Sequence, residues 1–192
     1  MDAVLTKRGL SRALALAASL LAALLLGMPA RAQVSNQYSN ATGGAITDIS
    51  CGTASALTRT FTVPTGYAIT DVNIGIALLH TFRGDLIITL ASPQGTSVTL
   101  MSATGGSGDN LSDLFDDSAL LGIASHPSLL ADSTAAVPPY SHSYRPQNAL
   151  SAFNGQNSAG TWTLTICDDG AQDVGTFTRA DLYITGTALA DL

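Results

Sequence analysis

Beyond residue 32 the chain contains no lysine and no glutamate. Both residues favour helices, so their joint absence argues against an α-helical domain. The cations left there are Arg59, Arg83, Arg145 and Arg179, and every acid is aspartate; four arginines against thirteen aspartates leave a net charge of −9. A surface of that sign repels nucleic acid and anionic lipid, which excludes both as expected partners. Aromatic residues make up only 6% of the sequence, so platforms for stacking on sugar rings are sparse. No spacing matches an EF-hand, and the G-x-S-x-G nucleophile turn is absent. Cysteine is scarce too: Cys51 and Cys167 are the whole complement. Two cysteines so far apart do not make a zinc site. An even pair in an exported chain points to one disulfide, closing a loop of about 116 residues, with two free buried thiols as the alternative.

One long apolar run is present, at the N-terminus. Lys7, Arg8 and Arg12 form a basic region, and Ala13 to Leu26 follow as about 14 apolar residues, too few for a typical spanning helix. Ala30-Arg31-Ala32 fits a small-x-small cleavage site. Residues 1–32 therefore read as a secretory signal helix. The mature chain is expected to start at Gln33, with no stable membrane association after cleavage and a destination in the periplasm or the medium. About 160 residues remain, enough for one domain.

Within that domain the apolar residues alternate. Residues 33–44 are polar and read as a loose leader, and residues 33–56 as a leader with a first strand region. Leu57 to Val63 is a strand ended by Pro64-Thr65-Gly66. In Ile69 to Leu79, the residues Val72, Ile74, Ile76 and Leu78 share one face. Leu86, Ile88 and Leu90 continue the pattern, and the short link His80–Asp85 predicts an antiparallel hairpin between these two strands. A turn at Ser92-Pro93-Gln94-Gly95 leads to a third strand, Thr96 to Met101. Residues 102–160 are irregular, with single helical turns expected at Leu111–Phe115 and Asn148–Phe153. Trp162, Leu164 and Ile166 share a face, as do Ala180, Leu182 and Ile184. About eight short strands with Gly/Pro turns predict an all-β fold, an antiparallel two-sheet sandwich.

The segments "HTFRGDL", "ASPQGTSVTL", "GTWTL" and "DVGTFTRADLYITG" occur in that order between Leu57 and Gly186. With "GGSGDNLSDLFDDSA" and "YRPQNALSAFNGQNSAGTW" between them, the chain resembles the P domain (P/Homo B domain) of kexin and furin type proprotein convertases, and its bacterial members in particular. The resemblance covers residues 57–192 and implies a jelly-roll-like β-sandwich. It also implies an accessory role beside a subtilisin-like serine protease, in proteolysis, and a dependence on calcium. No protease precedes the domain in this sequence, so the expected partner is an exported subtilisin-like protease acting in trans. Gly95-Thr96-Ser97 superficially matches the nucleophile segment of such proteases, but Val98-Thr99-Leu100 continues a strand and no matching Asp or His motif accompanies it. A non-catalytic module is therefore expected. The alternative is a free-standing adhesion or carbohydrate-binding sandwich.

Three sets of residues carry candidate chemistry. His80, Gly84 and Asp85 form either a structural turn clamp, which is the preferred reading, or part of a catalytic pair without a positioned nucleophile. The loop acids Asp109, Asn110, Asp113, Asp116 and Asp117, and the second group Asp168, Asp169 and Asp173, are candidate Ca2+ ligands, with Asp85 able to join either, because calcium takes six to eight oxygen donors held on loops. Ordinary turn-capping aspartate is the competing role. Tyr140, Tyr144 and Arg145 combine aromatic area with a cation and form a candidate binding surface, with loop packing over the end of the sandwich as the competing role. Trp162 is expected in the core rather than on a sugar platform.

Overall fold

Ten strands form in the computed structural model, which describes residues 32–133 and 137–189. The expected signal segment lies outside the described residues except for Ala32. The strands are β1 (Gln33–Asn40), β2 (Gly44–Ile46), β3 (Leu57–Val63), β4 (Tyr67–His80), β5 (Leu86–Ala91), β6 (Ser97–Ser102), β7 (Leu111–Phe115), β8 (His142–Tyr144), β9 (Gly160–Asp168) and β10 (Gly175–Ala188). One sheet runs β1-β10-β4-β7-β8, with β2 also on β10; the other runs β3-β9-β5-β6. The alternating faces meet between them. Val72, Ile74 and Ile76 of one sheet are buried in the same core as Leu86, Ile88, Leu90, Trp162, Leu164 and Ile166 of the other. Trp162 donates its ring N–H to the Ser158 carbonyl at 2.9 Å and meets Phe153 edge-on, which satisfies its polar handle inside the core. The all-β sandwich expected from the sequence is thus the fold.

Four local expectations give way. Residues 33–40 are not a loose leader: β1 pairs with β10 along its whole length, from Gln33↔Thr187 to Asn40↔Ala180. An edge strand is held largely by its backbone ladder, so polar composition does not exclude it. Residues 111–115 form a strand against β4 rather than a helical turn. That strand also pairs with β8 in parallel, so the first sheet is mixed rather than purely antiparallel. Finally, β4 and β5 are not a hairpin, since they lie in different sheets. A 3-10 turn at Arg83–Asp85 redirects the chain across the sandwich. Alternation reads the same on either side of such a corner, because both strands turn their apolar faces to one core.

The disulfide is present between Cys51 and Cys167. Around it, the Ser50 and Cys51 amides donate to the Asp168 carbonyl at 2.8 and 3.2 Å, so the β2–β3 link is fastened to the end of β9.

Candidate functional site

The β4–β5 corner fixes everything near it. His80 is buried, with Nε2 3.1 Å from Asp168 Oδ2 and Nδ1 2.9 Å from the Phe82 carbonyl. Its carboxylate partner is therefore Asp168, across the sandwich end, and not Asp85, the residue weighed as its pair from sequence. Asp168 is buried as well, and its other oxygen accepts the Gly170 amide at 2.9 Å.

Arg83 is fully buried. Its Nη1 donates to the Asp109 and Asn110 carbonyls at 3.2 and 2.7 Å, and its Nη2 to those of Pro127 and Leu130 at 3.0 and 3.1 Å. The guanidinium also lies 3.6 Å from Asp132 Oδ1. A planar fork of donors suits this task, gathering carbonyls from two loops at once. The glycines of the 105–108 loop make room for it. A Cβ on Gly105 would fall 2.4 Å from Arg83 Nε, and one on Gly108 2.5 Å from Nη2. The glycine-rich stretch is a cradle for an arginine.

Beside that arginine, four titratable side chains converge: Asp113 on β7, His126 after the 3-10 turn Ile123–Ser125, Asp132 in the following loop, and His142 on β8. One ligand atom from each lies within 4.8 Å of all the others. Parallel pairing sets Asp113 directly beside His142. His126 Nε2 stands 3.1 Å from Asp113 Oδ2 and 3.3 Å from Asp132 Oδ2. His142 Nδ1 stands 3.4 Å from Oδ1 of each aspartate. The side chains of Asp113, His126 and Asp132 are wholly buried, whereas that of His142 is 34% exposed. Asp132 Oδ2 accepts the Ser112 amide at 2.8 Å. Burial opposes the charged form of His126, but hydrogen bonding to Asp113 and Asp132 more than offsets it, so its pKa is pushed up to about 9. Burial drives Asp113 upward. Asp132 is held low despite burial, by His126 and the Ser112 amide.

Of the loop acids expected to act together, only Asp113 enters this group. Asp109 is exposed and contributes its carbonyl to Arg83. Asn110 accepts the His80 amide through Oδ1. Asp116 caps its own turn by accepting the Ser118 amide at 2.7 Å. Asp117 accepts the Leu150 and Ser151 amides at 2.9 and 2.8 Å, fastening the 3-10 turn Leu150–Phe153. In the second set, Asp173 accepts the Thr81 hydroxyl at 2.6 Å, and the Asp169 amide donates to the Asp85 carbonyl at 2.8 Å. The Asp85 carboxyl is pushed up by burial and then by Asp168 and Asp173, so these acids do crowd one another.

The aromatic surface expected at 140–145 is largely spent inside the protein. Tyr144 is buried with its ring 4.9 Å from that of His126. Tyr140 donates its hydroxyl to Asp181 Oδ2 at 2.7 Å. Arg145 is exposed, but its Nη1 donates to the Ala119 and Leu120 carbonyls. His126, Asp132 and His142 were not singled out from the sequence. A signal was there: two of only three histidines fall in the irregular stretch that already holds the loop acids.

Comparison with known proteins places this arrangement in context. The chain is 28% identical over 100 residues to leupeptin-inactivating enzyme 1 of Streptomyces exfoliatus, covering 52% of this chain and 15% of that protein. The fold is similar to that in a crystal structure of Aeromonas sobria serine protease with the chaperone ORF2. There the TM-score is 0.54 at 17% identity, over 90% of this chain and 30% of that one. A structure of the Aeromonas sobria serine protease gives a TM-score of 0.51 at 17% identity, over 86% and 29%. The chain spans less than a third of the length of each relative. The model of the proprotein convertase P-domain matches residues 69–184, more than half of the sequence, and the protein belongs to that family.

Proposed function

We propose that this chain is an exported, non-catalytic P-domain module that docks on a subtilisin-like serine protease in trans and stabilises it. The observation that carries the reading is the P-domain match over residues 69–184. The sandwich shared with a serine protease from Aeromonas sobria supports it. His80 is engaged through both ring nitrogens at a structural corner. Leu120 and Leu129, 88% and 86% exposed in the irregular region, supply apolar contact area for a partner.

Calcium enters this reading at the corner formed by Asp85, Asp169 and Asp173 beside Asp168. Burial raises Asp85 first, and a cation there relieves the repulsion from Asp168 and Asp173 that adds to it. Asp168 is committed to His80 and Gly170, so the candidate ligands are Asp85, Asp169 and Asp173, which lie near enough for Asp169 and Asp173 to act on the Asp85 charge. The buried Asp113 group does not suit calcium, which takes oxygen and not imidazole nitrogen.

Affinity capture from the producing cell's exported proteins, in calcium and in chelator, tests the proposal. A serine protease retained by the wild type in calcium, and lost by Leu120→Ser with Leu129→Ser, is the expected result. Capture of no protease in either condition overturns it.

A further inference from the structure

We propose that Asp113, His126, Asp132 and His142 form a binding site for a divalent d-block cation, of which zinc is the best fit. The donor set decides the class of ion. Two imidazoles and two carboxylates are borderline ligands, which zinc accepts and calcium and magnesium do not favour. The spacing fits as well. Tetrahedral bonds of about 2.0–2.1 Å set ligand atoms about 3.3 Å apart. His126 Nε2 lies 3.1 and 3.3 Å from Oδ2 of Asp113 and Asp132, His142 Nδ1 lies 3.4 Å from Oδ1 of each, and one ligand atom from each residue lies within 4.8 Å of the rest, so a small contraction closes the set around an ion.

A second, independent observation points to a ligand. With the single His126 Nε2 proton given to Asp132 Oδ2, the buried atoms Asp113 Oδ1 and Oδ2, Asp132 Oδ1 and His142 Nδ1 are left without a hydrogen bond. All four belong to this one cluster, and buried polar atoms in native proteins are rarely left so. The hydrogen bonds within the cluster cannot fill the deficit. His126 Nε2 carries at most one proton, yet it faces a carboxylate oxygen on either side. A cation among these atoms satisfies them together.

The surroundings have the supports that metal ligands need. His126 Nδ1 faces the Pro127 carbonyl at 3.4 Å, which orients the ring with Nε2 toward the cluster. The Ser112 amide holds Asp132 Oδ2. His142 is the entry side: its ring is one-third exposed, and it lines a groove of about 480 Å³ with Pro138, Pro139 and Tyr183. The ion would add a further tie between β7, the 126–132 loop and β8, which already meet through the parallel ladder and the Ser112–Asp132 hydrogen bond. This site does not depend on the identity of any protein partner.

The test uses purified protein stripped with a strong chelator and then titrated with zinc, cobalt(II) or calcium. One equivalent of zinc, a raised melting temperature and the intense visible bands of four-coordinate cobalt(II) are expected. His142→Ala, at the exposed edge, should fold and weaken zinc binding by about tenfold or more. Asp113→Asn, nearly isosteric, should also weaken it and so guards against a folding artefact in either variant. A stripped protein that takes up no zinc and shows no cobalt bands overturns the assignment, leaving a metal-free ion-pair network. So does undiminished zinc binding by both variants.

Discussion

Arg83→Met is the substitution from which the corner predicts most. Methionine keeps an unbranched stem and removes the charged fork. Four carbonyls, those of Asp109, Asn110, Pro127 and Leu130, lose donors at 2.7–3.2 Å, and Asp132 loses a cation 3.6 Å away. Hydrogen bonds from a charged donor are worth about 1.5–3 kcal/mol each, but neighbours that share one group do not add. Removing one partner from a buried charged network costs about 3–5 kcal/mol, chiefly through the groups left behind. We expect a loss of about 4 kcal/mol, a large part of the roughly 5–15 kcal/mol that holds a domain together. For a domain of this size that is a fall of about 10 °C in Tm. Arg83→Lys should lose less, but well over 1 kcal/mol, because a single ammonium cannot span both loops. Urea denaturation followed by tryptophan fluorescence reads both values, since Trp162 is fully buried. Hydrogen exchange should localise the damage to residues 105–110 and 127–132. A loss below about 1 kcal/mol for Arg83→Met would refute the view that this cation organises the loops.

Three further outcomes follow from separate features. Replacing Cys51 and Cys167 by serine opens a 116-residue loop and should cost up to about 4–5 kcal/mol, measured by urea denaturation against the wild type with and without reductant. Burial opposes ionisation of Asp181, but Arg179, Ser39, Tyr140 and Gln37 hold its pKa down at about 2. The folded pKa is depressed, so this stabilisation is full above about pH 4 and is lost as the pH falls toward 2. The wild-type advantage over Asp181→Asn should shrink by about 2 kcal/mol across that window, and a constant advantage counts against the network. Millimolar calcium should raise the melting temperature of stripped protein, and Asp85→Asn with Asp173→Asn should abolish the rise. An unchanged wild-type melt removes calcium from the corner.

The sandwich was legible because alternation records which face meets the core. Val72, Ile74, Ile76 and Leu78 read as one buried face, and they are one. Alternation does not record which sheet a strand joins. Leu86, Ile88 and Leu90 therefore read as a hairpin partner of the preceding strand, although β5 lies in the opposite sheet. Nor does apolar periodicity find a strand such as β1, whose pairing with β10 is a backbone interaction available to polar residues. The disulfide was inferred from the compartment and an even count, neither of which requires knowledge of the fold.

The site was only partly legible, for a related reason. Aspartates close together in sequence looked like one ligand set, yet along β7 and the turn after it successive side chains point in different directions. Asp113 points into the protein, and Asp116 and Asp117 turn to backbone amides nearby. What gathers ligands here is tertiary. A parallel strand pair sets His142 beside Asp113, and Arg83 draws the 127–130 carbonyls toward the 109–110 loop. Asp132 is anchored in that fold by the Ser112 amide. Arg83 of "HTFRGDL", which stands in the sequence only as one of four cations, thus determines where two loops lie, and with them where a carboxylate and an imidazole from distant parts of the chain meet. Burying four such groups with no metal leaves one His126 Nε2 proton and an arginine 3.6 Å away to serve two carboxylates, with several polar atoms still unpaired in a low-dielectric interior, a costly arrangement for a sandwich whose apolar core is otherwise complete. The cluster is therefore better explained by something it holds than by anything it adds to the core.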